Sequence, residues 1–430
     1  MTQLTTLILI FIGSIAIGVP IAFVLGLTAL YYFLFVGSVP IMILGQRLYS
    51  GVDNFVLLAI PFFVFAGELM NRTKITEDLV NFAKMLVGWI PGALAQVNIV
   101  TSVFFAGLTG AAVADTAAIG SILIPAMKEE GYTSEYAAAV TVTSSIIGPI
   151  IPPSINMVVY STVTMESVGA LFMAGFAPGI SIALGLMIIA LFFAFRDHHP
   201  RRKERLAKGE AWRTTKKSLL ALLAPVILVG GIFSGQFTPT EAAAVACAYA
   251  LFVGVFIFKT LGWKEIFESL KASAITSSVI LFIISVATVF ATMLTLERIP
   301  AHIAHSILSL TENKYVFLLL VNLLLLFVGM IMETGVSVIL LAPILLPVAT
   351  RLGVHPLHFA LVMLVNLNIG LNTPPLGVCL YTAAPIAKVR FEKIARAAVP
   401  FVAMQIVVLM IITYIPEIIL FLPRVFGYIS

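Results

Sequence analysis

The sequence predicts an all-α polytopic membrane protein: two inverted repeats, each with a re-entrant helical hairpin and a proline-broken helix. Three observations carry this expectation. Of the 430 residues, 60% are hydrophobic and 10% charged, with a mean hydropathy of +1.10. A soluble domain carries about 25% charged residues. The apolar residues also fall into runs near the ~20 needed to cross a bilayer. Finally, the pattern of glycines and prolines in one half recurs 222 residues later in the other. Cys247 and Cys379 both lie in apolar segments, which excludes a disulfide framework and a zinc pattern.

Taken in order, the first apolar stretch runs from Leu4 to Val36, interrupted at Gly18-Val19-Pro20. That interruption reads equally as a kink in one span or a turn between two. The stretch has no basic start and no clear cleavage site, so it is not read as a signal peptide. Phe55 to Met70 is a span, and Asn81 to Ile90 reads as interfacial. Ala93 to Met127 is apolar but interrupted, and Ala137 to Tyr160 is broken by prolines. Val168 to Phe195 is a span that closes a first repeat over 1–195. A basic loop follows over 196–217, and the second repeat covers 218–430. Its spans are Leu219 to Phe233, Ala242 to Phe258 and Ile275 to Leu296, with Trp263 to Lys271 expected as a lateral interfacial helix. Tyr315 to Ala349, Phe359 to Ala387 and Ala398 to Leu422 complete it.

The charge orients these segments. Arg196 to Lys217 holds nine of the 25 Lys and Arg and three acids, so it carries +6 and the rest of the chain −1. One aromatic residue and no second basic stripe argue against nucleic acid as a partner. The loop is instead expected on the cytoplasmic side. Let Ala93–Met127 and Tyr315–Ala349 be hairpins that return to the side they came from. Then 20 basic residues fall inside and five (Arg47, Arg298, Lys314, Arg351, Arg424) outside. Treating either hairpin as a full span spoils this asymmetry.

The repeat is gapless. Phe105 to Tyr132 aligns with Phe327 to Val354, and GPIIPPS from Gly148 aligns with GLNTPPL from Gly370. Gly107/Gly329, Pro125/Pro347, Gly131/Gly353, Gly148/Gly370, Pro152/Pro374 and Pro153/Pro375 coincide. Five crossings between the hairpins, an odd number, invert one repeat relative to the other. Inverted repeats with broken helices meeting near the midplane are a secondary-transporter architecture.

A Pro-Pro pair removes two backbone donors and frees carbonyls one turn earlier. Such carbonyls cost several kcal/mol each in hydrocarbon unless protein, water or an ion satisfies them. The freed groups are expected at Gly148 to Ile151, before Pro152, and at Gly370 to Thr373. Each set faces a glycine-bearing tip, Gly107 to Ala112 or Gly329 to Gly335. Carbonyls and hydroxyls suit a hard cation such as Na+. The alternative is a pair of plain kinks healed by neighbouring helices. Helix N-termini and neutral donors near the breaks suit a carboxylate. The nearby donors are Asn98, Thr109, Ser144, Ser145, Ser154, Asn156, Thr334, Asn366, Asn368, Asn372 and Thr373. Each serves equally well as helix-to-helix glue. Asp115 reads as a cation ligand or proton relay, or as a helix cap. Glu333 has no sequence-local salt bridge and leans towards function. Thr238-Pro239-Thr240-Glu241 reads as a capping box. The His355/His358 pair reads as a surface feature.

Nothing points to an enzyme: there is no GxxxxGK[ST], HExxH or GxSxG motif.

Several stretches carry a family pattern: LLAIPFFVFAGELM from Leu57, GAAVADTAAIGSILIPAM from Gly110, IIGPIIPPSI from Ile146, LFMAGFAPG from Leu171, FTPTEAAAVA from Phe237 and NIGLNTPPLG from Asn368. The chain resembles the large membrane (M) subunit of tripartite ATP-independent periplasmic (TRAP) transporters. The resemblance implies Na+-dependent uptake of organic anions, such as C4-dicarboxylates, sialic acids or sugar acids, across a bacterial inner membrane. It implies an elevator mechanism, a small four-helix (Q) subunit and a periplasmic substrate-binding protein. No organic cofactor is implied beyond Na+ as coupling ion. The family's sodium sites map onto Gly107 to Asp115, Gly148 to Ser154, Gly329 to Thr334 and Gly370 to Pro375. A proton-coupled or binding-protein-independent permease is the alternative. One departure stands out: the first tip, often SGSSVAD, here reads TGAAVAD. Thr109 is then the only tip hydroxyl, and backbone carbonyls are expected to dominate there. The chain opens directly on the large-subunit pattern, so the small subunit is expected as a separate polypeptide.

Overall fold

The structure, a computed structural model, describes residues 3–37, 39–199, 208–299, 302 and 311–429. Every regular element among them is a helix. The first repeat contains α1 (Gln3–Ala16), α2 (Ile21–Tyr31, extended by a π turn over Tyr32–Val36), α3 (Met42–Val52), α4 (Ala59–Asn71) and α5 (Ile75–Val87). Its hairpin is α6 (Ala93–Thr109) and α7 (Ala112–Glu129). Its broken helix is α8 (Ser134–Ser145) and α9 (Ile155–Thr164), followed by α10 (Val168–Arg196). The second repeat opens with α11 (Lys208–Phe233), α12 (Pro239–Phe252) and α13 (Trp263–Leu296). Its hairpin is α14 (Lys314–Ile331) and α15 (Thr334–Arg351), and its broken helix α16 (Pro356–Gly370) and α17 (Val378–Ala387). Helices α18 (Phe391–Tyr414) and α19 (Glu417–Val425) end it. Among the described residues six helices are long and apolar enough to cross a membrane, and Met42–Val52 and Phe55–Asn71 form a pair bent by 55° that is long and apolar enough together.

The break at Gly18 is a turn. Gly26 lies against Val286, and the Tyr32 hydroxyl donates to Glu297, so α2 runs parallel to α13. Phe11 stacks on Phe290, level with the middle of α2, so α1 folds back antiparallel. Helix α5 carries Ile75, Leu79, Val80 and Ala83 on its buried face. It starts ahead of the interfacial segment expected from Asn81.

Two expectations need correction. Trp263 to Lys271 is no separate lateral helix. It is the first part of α13, which runs unbroken for 34 residues because no Gly or Pro interrupts it. At 1.5 Å per residue that is about 50 Å, well beyond a ~30 Å hydrocarbon core. The exposed Trp263 and Phe267 therefore lie on an overhanging end. The basic segment is also not a loop throughout: α11 begins at Lys208. Arg196 ends α10, and of the rest of that segment 200–207 lies outside the described residues.

The repeat offset reproduces helix boundaries. Shifted by 222, Ala112–Glu129 becomes Thr334–Arg351, the observed α15. Shifted likewise, α10 falls on α18, and these two pack antiparallel. Phe193 stacks on Phe401, Gly185 meets Val408 and Gly169 meets Tyr428. The repeats are thus inverted, and they exchange partners: α15 packs on α9, and α17 on α7. Around this bundle, α2, α3 and α4 pack on α13, and α12 on α4. Contact between the two groups runs through α13 on α15, through α4, α5 and α11 on α6, and through α4 on α9. The Thr238 capping box forms as expected, with Glu241 accepting from the Thr238 backbone N–H at 2.8 Å.

Candidate functional site

The two hairpin tips end on broken helices, as the sequence requires. At the first tip, α6 stops at Gly110, in left-handed conformation with φ +62°, and Ala111 is extended before α7 starts. Gly110 lies directly against the Pro153 carbonyl. Asp115 sits in the first turn of α7, fully buried, and its carboxylate accepts from the Thr109 hydroxyl. This corrects the cap reading, because the N-cap residue is Ala111 and no side chain caps the helix. The second carboxylate oxygen has no hydrogen-bond partner. It occupies the space where a Cβ on Gly148 would stand, wedged between hairpin and broken helix. Among the described residues Asp115 has no ion-pair partner.

Around this carboxylate the backbone is open. Between α8 and α9, no backbone N–H among the described residues reaches the carbonyls of Gly148, Ile151, Pro152 or Pro153. The Pro152-Pro153 bond is cis, as is Pro374-Pro375. The Pro149 carbonyl accepts from Ser154 Oγ at 2.6 Å, and that hydroxyl also caps α9. Gly107 lies against Pro225 of α11 and lines a cavity with Ile151 and Pro152 of the break.

The second site is built differently on the same frame. Gly370 packs backbone to backbone against Gly329, so hairpin and broken helix touch with nothing between them. Thr334 donates to Asn368 Oδ1 at 3.3 Å, and Asn368 Nδ2 donates to the Leu364 carbonyl at 2.8 Å. The Thr373 hydroxyl bonds back to the Ile369 carbonyl at 3.0 Å. Asn372 is buried, with neither side-chain amide atom partnered. The carbonyls of Asn372, Thr373 and Pro374 also lack backbone donors among the described residues.

Exchange of partners between the repeats creates a crevice. It is lined by Ile155, Asn156 and Val159 of α9, by Glu333, Gly335 and Ile339 at and beyond the second tip, and by Ile280, Ile283 and Ile284 of α13. The N-termini of α9 and α15 both open onto it. Asn156 Oδ1 lies beside Gly335. Glu333 precedes α15, makes no cap hydrogen bond and is exposed at the edge of the crevice.

The remaining predicted residues are engaged elsewhere. Ser144 bonds Ser102 at 2.9 Å and Asn98 at 3.2 Å, holding α8 to α6. Ser145 bonds back to Thr141. Asn366 donates to Asn322 Oδ1 at 2.8 Å, holding α16 to α14. Ser144 and Asn366 are repeat-related, so each hairpin's outer helix is clamped to the first half of its broken helix. His355 caps α16, but His358 is buried, not at the surface, and bonds the Ile412 carbonyl, because α16 packs that face on α18. Sequence reasoning missed Gln405, whose amide donates to the Thr143 carbonyl at 2.7 Å, just ahead of the first break. An amide in an otherwise apolar membrane helix was the available signal.

The family model "Tripartite ATP-independent periplasmic transporter, DctM component" matches residues 8–418. The chain is 40% identical to the sialic acid TRAP transporter large permease protein SiaM of Vibrio cholerae, over 97% of this chain and 98% of that one. It is 39% identical to the isethionate TRAP transporter permease protein DctMQ of Oleidesulfovibrio alaskensis, over 95% of this chain and 64% of that longer protein. Among solved structures, the YdaH transporter of Alcanivorax borkumensis superposes with a TM-score of 0.64 at 15% identity, over 94% of this chain and 97% of that one. At that identity the likeness is one of fold.

Proposed function

The chain belongs to the DctM family of tripartite ATP-independent periplasmic transporters, and we propose that it imports an organic anion across the bacterial inner membrane by coupling it to Na+. The observation that carries this reading is the pair of tip-to-break contacts. One holds a buried carboxylate, Asp115, without an ion-pair partner. A buried ionised carboxylate needs a compensating charge. Thr109, Asp115 and the open carbonyls around Gly148 and Pro153 would supply hard oxygen ligands to a small cation. At the second break the ligands would be neutral, from Thr334, Asn372, Thr373 and the carbonyls near Gly370.

The substrate carboxylate is assigned to the crevice between the two helix N-termini, α9 and α15, where partial positive charge gathers. Movement of the hairpin-bearing bundle against the group around α13 would carry the crevice from one side to the other. The clamps at Ser144 and Asn366 favour rigid movement of each hairpin with its broken helix. A periplasmic binding protein is proposed to deliver substrate and a small four-helix subunit to complete the membrane complex. Relatives named for sialic acid and isethionate indicate acids of that general kind. A proton-coupled permease is the second reading, favoured by the absence of an ion-pair partner for Asp115 and Glu333 among the described residues.

The test is uptake into proteoliposomes holding the complex and its binding protein. A Na+ gradient alone should drive accumulation. Uptake that persists after the Na+ gradient is collapsed, with the pH gradient held constant, would overturn Na+ coupling and favour the proton reading.

A further inference from the structure

We propose that Gln405 is a positioning residue for the first ion site. By holding the Thr143 carbonyl it keeps the turn before the first break tightly wound, and so holds Gly148 where the Asp115 carboxylate fits beside it. This rests on the reading that the first break binds Na+. The two broken helices end in different registers. Shifted by 222, the end of α8 at Ser145 falls on Leu367, yet α16 continues to Gly370. Tight, three-residue bonds follow α16 only from Leu371, whose N–H donates to the Asn368 carbonyl at 3.1 Å. After α8 they begin at Ile147, which donates to the Ser144 carbonyl at 3.1 Å, and continue at Gly148, which donates to Ser145 at 3.0 Å. A tight turn rises about 2.0 Å per residue against about 1.5 Å in an α-helix. From Ile146 to Gly148 the difference adds up to about 1.5 Å, enough to separate a gap that holds a carboxylate from the direct contact of Gly370 with Gly329.

Two residues differ between the repeats in the way this register needs. Pro149 stands where the second repeat has Leu371, and it has no N–H to offer the Ser145 carbonyl. Gln405 of α18 stands where α10 has Ala183. Helix α18 packs on α8 as α10 packs on α16, and an alanine there can offer no such bond. In a continuing α-helix the Thr143 carbonyl would accept from Ile147, but that N–H is engaged by Ser144. The Gln405 amide takes its place at 2.7 Å. Gln405 and Thr143 are both fully buried, where a polar group without a partner is costly. Without the amide, the nearest donor for Thr143 is Ile147 itself. That exchange winds the turn back to α form and displaces Gly148 from the carboxylate.

The experiment is the unfolding temperature of the purified full chain, titrated with NaCl against KCl at constant ionic strength. Gln405→Met keeps the length of the side chain and removes the donor. It should raise the Na+ midpoint about fivefold while lowering the unfolding temperature in KCl by only a few degrees. Gln405→Asn keeps the amide but draws it back by one methylene. It should give a smaller shift of the same sign, and it carries the same comparisons if the Met variant does not fold. In an Asp115→Asn background the Gln405→Met shift should vanish, because the site it positions is already impaired, whereas in a Thr334→Val background it should persist. A lower unfolding temperature with an unchanged Na+ midpoint makes the bond purely structural and overturns the proposal. So does a Gln405→Met shift that adds fully to that of Asp115→Asn. Either result leaves the Na+ reading of the first break intact. Identical responses of the wild type to Na+ and K+ would remove that reading, and the proposal with it.

Discussion

The two tip-to-break contacts share a skeleton and differ in what fills it. At the second, Gly370 and Gly329 bring two backbones into direct contact. At the first, the repeat-related Gly148 leaves room that the Asp115 carboxylate occupies. The position matching Asp115 is Ser337, whose hydroxyl only bonds back to the Glu333 carbonyl at 3.0 Å. Asn368 of the second contact is matched by Ile146 of the first, and Thr334 by Ala112. Glycines and prolines preserve the geometry of the breaks, while the polar groups set different chemistry on each. The first contact encloses a carboxyl group and the second encloses only amides and hydroxyls, so they should respond differently to ions and to substitution.

The largest effect that could break this comparison is steric. Gly370→Ala sets a methyl group against a backbone that cannot yield, and should destabilise by about 3 kcal/mol in thermal unfolding. Gly148→Ala meets a movable carboxylate, should lose about 1 kcal/mol, and should lose its Na+ response instead. If the two variants behave alike, the glycines have equivalent roles and the contrast fails. Next in size, Asp115→Asn should raise the Na+ midpoint at least ~10-fold, equivalent to about 1.4 kcal/mol. Ser337→Ala should leave it unchanged, and a matching loss there would erase the distinction. Thr334→Val removes one neutral bond and should shift the midpoint about threefold, near 0.6 kcal/mol. Smallest, Asn366→Leu should lower stability by roughly 0.6 kcal/mol, as for an average membrane hydrogen bond, with Na+ dependence unchanged. A changed Na+ midpoint would move Asn366 from clamp to ligand.

Much of this frame was legible in the sequence because it is written in backbone-determining residues. Gly110 and the proline pairs Pro152-Pro153 and Pro374-Pro375 force breaks that no neighbouring element can heal, and a fixed offset locates both proline pairs. Contacts between distant elements leave no such periodic trace. Nothing local announced that Thr109 would be consumed by Asp115, that α15 would pack on α9, or that Gln405 would reach Thr143. The overhang of α13 was misread for the opposite reason. Charged and aromatic residues near Trp263 signal an interface, yet only a breaker would have ended the helix there. The capping box at Thr238 was readable because all of its partners lie within four residues.

A Na+ titration of unfolding temperature reaches the carboxyl-bearing first break without knowledge of the substrate. Wild-type protein, Asp115→Asn and Ser337→Ala would be titrated with NaCl against KCl at constant ionic strength. The account predicts saturable stabilisation by Na+ over K+ in the wild type and Ser337→Ala, and a midpoint at least ~10-fold higher in Asp115→Asn. Identical responses to Na+ and K+, or an unchanged midpoint in Asp115→Asn, would contradict it.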